Sequence, residues 1–91
     1  MGLLTERRER VVKIIWDRPP LNVLDIALLR ELDRALEDCG ADSGVDVIVF
    51  QGAGERAFSA GVDIRDHTPE KAPEMLDVVH GVIRKLLSLP Q

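Results

Sequence analysis

The chain has 91 residues, with 12 Lys/Arg against 16 Asp/Glu and a formal net charge of −4 at pH 7. A domain this short buries only about 60–65% of the surface its unfolded chain exposes, so it makes one small domain at most and large enzyme folds are excluded as complete units. Hydrophobic residues at 45% and charged residues at 31% are ordinary for a folded protein, and the one basic cluster, Arg7, Arg8 and Arg10, is interrupted by Glu6 and Glu9, which argues against nucleic acid as a partner.

The N-terminus lacks a secretory apolar core, and no apolar run approaches the roughly 20 residues of a membrane span. Glu6 stands where a myristoylation signal requires Ser or Thr. Cys39 is the single cysteine, whereas a small domain from an oxidising compartment usually carries several, so the expectation is a protein of the reducing cytoplasm with no membrane partner.

Val11 to Trp16 is β-branched and largely apolar on both faces, which predicts a strand of about six residues. Asp17-Arg18-Pro19-Pro20 ends it, because a proline pair lacks two ladder donors and holds the preceding residue extended. From Leu24 the period becomes helical. Leu28, Leu32, Ala35, Leu36 and Cys39 share one face, and Arg30, Glu31, Arg34, Glu37 and Asp38 the other. Asn22 or Asp25 can cap this helix, Gly40 in a left-handed conformation can close it, and Cys39 reads as a small core residue, not a reactive thiol.

After the polar loop Ala41–Gly44, the run Val45–Phe50 predicts a parallel strand covered on both faces. Gly52-Ala53-Gly54 breaks it, Ala57 to Ile64 is irregular, and a second helix follows Thr68-Pro69 with Pro73 in its first turn. Leu76, Val79, His80, Ile83, Leu86 and Leu87 line one apolar face of it, on which His80 reads as a hydrogen-bonded core or interface residue, and Trp16, Phe50 and Phe58 belong to the core. The order strand, helix, strand, loop, helix places the chain in the α/β class as one domain over residues 1–91, with a helix crossing between parallel strands.

Two chemical motifs in the loop fail on context. Gly52-x-Gly54-x-x-Ala57 fits a dinucleotide fingerprint, but that motif must open a helix, and here the next helix begins near Pro73. Ala57-x-Ser59-x-Gly61 is a relaxed nucleophile elbow with neither an immediate helix nor suitably ordered partners, since His67 and His80 follow too closely. His67 reads as a solvated loop residue, and Asp63 as a carboxylate that accepts backbone N–H groups.

Taken together, Asp17-Arg18-Pro19-Pro20-Leu21-Asn22, the amphipathic helix, the strand ending Gln51-Gly52-Ala53-Gly54, and Arg56-Ala57-Phe58-Ser59-Ala60-Gly61-Val62-Asp63-Ile64 resemble the N-terminal portion of the enoyl-CoA hydratase/isomerase (crotonase) family. Ser59 to Thr68 is similar to its cyclohexadienoyl-CoA hydratase branch. The resemblance implies the first portion of a ββα superhelix and an acyl-CoA thioester as partner, with coenzyme A part of the substrate and no separate cofactor. It implies that the Val62 backbone N–H is one of two oxyanion-hole donors, a catalytic role. It further implies that Gly61 allows close approach, that Ala60 and Ile64 meet the adenine through their backbones, that Pro20 and Leu21 line the CoA groove, and that Arg65 meets a phosphate. Asp63 lies within the same binding loop, and Pro20 stands where the family often has a basic or small residue.

In the family's hydratases the two acid/base glutamates and the second oxyanion donor lie beyond the stretch matched here, and Glu70, Glu74 and Asp77 read as helix-start carboxylates. The expectation is therefore an incomplete, catalytically silent portion of an enzyme whose full-length relatives assemble around trimers. The alternative is a noncatalytic CoA-binding or protein-interaction module.

Overall fold

A computed structural model describes residues 2–91. Strand β1 (Gly2–Arg8) runs antiparallel to β2 (Val11–Asp17), α1 (Ile26–Gly40) crosses over, and β3 (Val47–Gly52) lies parallel to β2. A loop with one 3₁₀ turn (Ile64–Asp66) then leads to α2 (Ala72–Ser88). The strand order β1-β2-β3 puts β2 in the centre, in keeping with the α/β class expected from the alternating elements.

Val12, Ile14 and Trp16 project from one face of β2 onto Leu28, Leu32, Leu36 and Cys39 of α1, with Val45 and Val82 completing the core. Ile14 and Leu36 are fully buried. Burial and the nearby Asp38 raise the Cys39 thiol above its ordinary pKa, in keeping with an inert core cysteine. No helix among the described residues is long and apolar enough to cross a membrane.

Strand β1 was not expected. Its residues are mostly exposed, with Glu6, Arg7 and Arg8 charged, and its tight turn to β2 uses Glu9 at φ 56° instead of the Asn-Gly or Gly that usually marks such a hairpin. The basic cluster beside this turn is paired, Arg7 with Asp42 and Arg10 with Asp46, each at 2.6 Å. Strand β3 begins at Val47 instead of Val45, because the Asp46 and Val47 N–H groups first turn onto the Arg10 carbonyl. It is an edge strand with Val47 and Val49 exposed, not a strand covered on both faces.

Asp25 caps α1 by accepting the Leu28 N–H at 2.8 Å, and the Asp66 carboxylate adds a bond from the Ile26 N–H at 3.1 Å. Gly40 stays helical and does not form the left-handed cap. Ala41 is the C-cap, and a Cβ on Gly40 would lie 2.7 Å from Leu89 Cδ2, a side-chain end that would have to shift to admit it. Pro73 sits in the first turn of α2 as expected.

The face of α2 that packs on α1 is not the apolar face marked by the sequence spacing. Met75 and Val82 face α1, whereas Leu76, Ile83, Leu86 and Leu87 are exposed, as is His80. Ion pairs fix this rotation: Arg30 meets Glu74 at 2.6 Å, and Lys85 reaches Asp33 at 3.0 Å and Glu37 at 2.9 Å. Phe58 also lies outside the core, largely exposed, with only its edge against Trp16 at a ring separation of 4.8 Å.

Candidate functional site

Three irregular segments converge at the C-terminal ends of β2 and β3: the turn Arg18–Asn22, the glycine loop after Gly52, and the stretch Ala57–Asp66. Asn22 joins them. Its side chain is 1% exposed, and its backbone is left-handed at φ 54°, a conformation asparagine tolerates better than most residues. Its amide oxygen accepts the Arg18 N–H at 2.9 Å, and its amide nitrogen donates to the carbonyls of Ala53 and Ala57, each at 2.9 Å. The Ser59 hydroxyl donates to the Asn22 carbonyl at 2.7 Å and accepts the Gly61 N–H at 3.0 Å. Ser59 is thereby a structural hydroxyl, not a nucleophile.

Gly52, the first glycine of the apparent dinucleotide fingerprint, packs where a Cβ would meet the Phe58 carbonyl and lie 2.8 Å from Asn22 Nδ2. No helix opens in that motif, the next one starting at Ala72. Its glycine serves loop packing.

Residues 60–63 then pair with 21–24. The Ala60 N–H bonds the Leu21 carbonyl at 2.9 Å, the Leu24 N–H bonds the Gly61 carbonyl at 2.8 Å, and the Asp63 N–H bonds the Leu24 carbonyl at 3.0 Å, so that Leu24 and Val62 form a parallel bridge. In this pattern the Val62 N–H points away from its partner. From Ala60 to Asp63, the amides of Ala60, Gly61 and Asp63 are bonded, and the Val62 N–H has no hydrogen bond among the described residues. Gly61 beside it has φ 103°, and a Cβ placed there would meet nothing within 4 Å. Glycine is required by conformation there, and the space over the loop is open.

Asp63 braces this arrangement. Its carboxylate, in a residue only 5% exposed, accepts from Arg65 Nη2 at 2.6 Å, from the Arg65 backbone N–H at 2.9 Å and from Arg18 Nη2 at 3.1 Å. Those bonds, the Arg65 guanidinium foremost, hold the Asp63 carboxyl well below the ordinary carboxylate range. The reading of Asp63 as an acceptor of backbone N–H groups matches this geometry. Arg18, Pro19, Pro20, Leu21, Asp63 and Arg65 line a groove of about 240 Å³, with the Pro19–Pro20 peptide cis. Pro20, Leu21, Asp63 and Arg65 thus share one groove, and Ala60, Gly61 and Val62 lie on the strand-like stretch beside it. Ile64 projects into solvent at 84% exposure. His67 is exposed as expected.

The model of the enoyl-CoA hydratase/isomerase family matches residues 6–89. The chain belongs to that family. It is 42% identical over 86 residues to a probable enoyl-CoA hydratase of Rhizobium meliloti, covering 93% of this chain and 31% of the relative. It is 26% identical over 85 residues to the cyclohexa-1,5-dienecarbonyl-CoA hydratase of Thauera aromatica, covering 93% of this chain and 33% of that one, so similarity to the latter branch is the weaker of the two. The solved structure of enoyl-CoA hydratase from Bacillus anthracis superposes with a TM-score of 0.92 at 28% identity, over 100% of this chain and 37% of that one. The chain thus spans about a third of the length of the relatives it matches.

Two residues central to this geometry were not anticipated in their roles. Asn22 had a helix cap as its local reading, and Arg18 carried no signal beyond its place before the prolines. Replacing Asn22 with Ala removes the partner of the half-buried Ala53 and Ala57 carbonyls and of the Arg18 N–H, at about 1–3 kcal/mol for each group that water cannot reach. Asn22→Ala is expected to lower stability by about 2–4 kcal/mol in urea unfolding, and a loss below about 0.5 kcal/mol would contradict the hub role. For Asp63 the folded pKa lies below the unfolded value of about 3.9, so its stabilisation is present above that pH and is lost as pH falls toward the folded value. The stability of Asp63→Asn is expected to fall less steeply than wild type between about pH 5 and pH 2, and parallel curves would contradict the assignment.

Proposed function

We propose that the loop around Val62 binds a coenzyme A thioester and that the Val62 N–H is one of the donors that polarises its carbonyl oxygen, within enoyl-CoA hydratase/isomerase chemistry. The observation that carries this reading is the unbonded Val62 N–H between bonded neighbours, under the open space above Gly61. Addition of water across a double bond conjugated to a thioester drives electron density onto the carbonyl oxygen. A backbone dipole already fixed in direction stabilises that charge without reorganising at the moment of reaction.

In this reading Pro20 and Leu21 line the CoA groove, Arg65 offers its exposed guanidinium to a phosphate, and the backbones of Ala60 and Ile64 meet the adenine. Ile64 opens the 3₁₀ turn, where the first N–H has no intrahelical partner to compete with a ligand. Asp63 acts as the brace that keeps Arg65 and Arg18 against the loop. Coenzyme A enters as part of the substrate, and no separate cofactor is proposed. A groove of about 240 Å³ is smaller than the roughly 300–1,000 Å³ of complete ligand sites, which supports the reading that these 91 residues alone bind acyl-CoA weakly and do not turn it over.

The experiment is a graft. Residues 2–89 replace the superposed segment of the Bacillus anthracis enoyl-CoA hydratase, and hydration of a short enoyl-CoA is measured. The folded chimera is expected to be active, and Val62→Pro within it to lower kcat by about 10²–10³ while changing KM far less. A folded chimera that binds acyl-CoA but whose kcat is indifferent to Val62→Pro would contradict the proposed donor.

A further inference from the structure

The Val62 N–H is aimed by the opposite side of its own peptide. Peptide units are planar, and in a trans unit the N–H points away from the C=O. The Gly61 carbonyl, which shares a plane with the Val62 N–H, accepts the Leu24 N–H at 2.8 Å. The Val23 carbonyl, which shares a plane with the Leu24 N–H, accepts from Arg18 Nη1 at 3.1 Å. Both peptides are trans, so their dipoles run in one direction. A guanidinium, two peptide units and the unbonded Val62 N–H therefore lie head to tail in one hydrogen-bonded chain.

Arg18 is held in place for this contact. Its backbone N–H donates to Asn22 Oδ1 at 2.9 Å, and its carbonyl accepts the Asn22 N–H at 2.8 Å. On the other prong of its fork, Nη2 meets Asp63 Oδ2 at 3.1 Å and Asp25 Oδ2 at 3.6 Å. These carboxylates balance the guanidinium charge at long range, so its influence on Val62 travels through the bonds. A charged donor binds a carbonyl more strongly than a neutral one, and bonds in a chain strengthen one another by about 10–30% each. We propose that Arg18 is a positioning residue of the oxyanion hole, which acts through the Val23–Leu24 and Gly61–Val62 peptides to aim the Val62 N–H and strengthen it as a donor. This rests on the reading of Val62 as a donor to the thioester carbonyl. Arg18 also borders the CoA groove, and a direct contact with CoA would show in KM instead of kcat.

A double-mutant cycle in the hydratase chimera tests it, with far-UV circular dichroism as the folding control. Arg18→Gln keeps a neutral N–H donor and is expected to lower kcat by about three- to tenfold, with KM changed by less than about twofold. Arg18→Lys, which keeps the charge but not the fork, is expected to fall between Arg18→Gln and wild type. In the Val62→Pro background, which has no N–H to strengthen, Arg18→Gln is expected to cost nothing further. In the unliganded 91-residue chain, a scalar coupling across the hydrogen bond from the Leu24 nitrogen to the Gly61 carbonyl carbon is expected by NMR. If Val62→Pro alone leaves kcat intact, the donor reading fails and the role of Arg18 with it. If Val62→Pro is slow but Arg18→Gln matches wild type, costs the same in both backgrounds, or raises KM with kcat unchanged, the role of Arg18 is overturned and the donor stands. Absence of the Leu24–Gly61 coupling overturns it whether or not the variants fold.

Discussion

One buried amide holds the irregular half of this protein together. Asn22 uses its side-chain oxygen and both side-chain N–H groups, and its backbone carbonyl also accepts the Ser59 hydroxyl. Aspartate has no N–H to give Ala53 and Ala57, and glutamine is a methylene too long for the same three contacts. Because Asn22 fixes the exits of β2 and β3 against each other, the register of Leu24 on Val62 follows. That register leaves the Val62 N–H pointing outward.

Charge completes what the amide begins. Asp63 ties Arg18 of the proline turn to Arg65 beyond the loop, and Asp66 ties the same segment to the first amide of α1. Irregular backbone held at both ends in this way can present a fixed dipole, which is what charge stabilisation in a transition state demands. The helical side follows another rule. α2 is oriented on α1 by the Arg30–Glu74 and Lys85–Asp33 pairs, and this rotation leaves its second apolar face open.

Strand β2, helix α1 and the parallel crossover were legible because their signals are local: β-branched alternation, a four-turn apolar stripe and flanking breakers. β1 was not legible, since an exposed charged strand with a non-glycine turn carries neither pattern nor punctuation. The rotation of α2 was not legible because apolar residues cover more of that helix than one neighbour can bury, and only ion pairs to α1 decide between the faces. The role of Asn22 depends on partners 31 to 37 residues away, whereas the local sequence offers only a cap. Asp63 was legible as an acceptor of backbone N–H groups because its Asx-type bond to Arg65 is local. Val62 entered through family resemblance alone, because a backbone N–H leaves no side-chain signature.

This network occupies every amide from Ala60 to Asp63 except that of Val62. Amide hydrogen exchange resolved residue by residue by NMR in the unliganded chain tests it most directly. Protected amides at Ala60, Gly61 and Asp63 are expected to flank a fast-exchanging Val62. Protection at Val62 equal to that of its neighbours, or fast exchange across all of them, would contradict it.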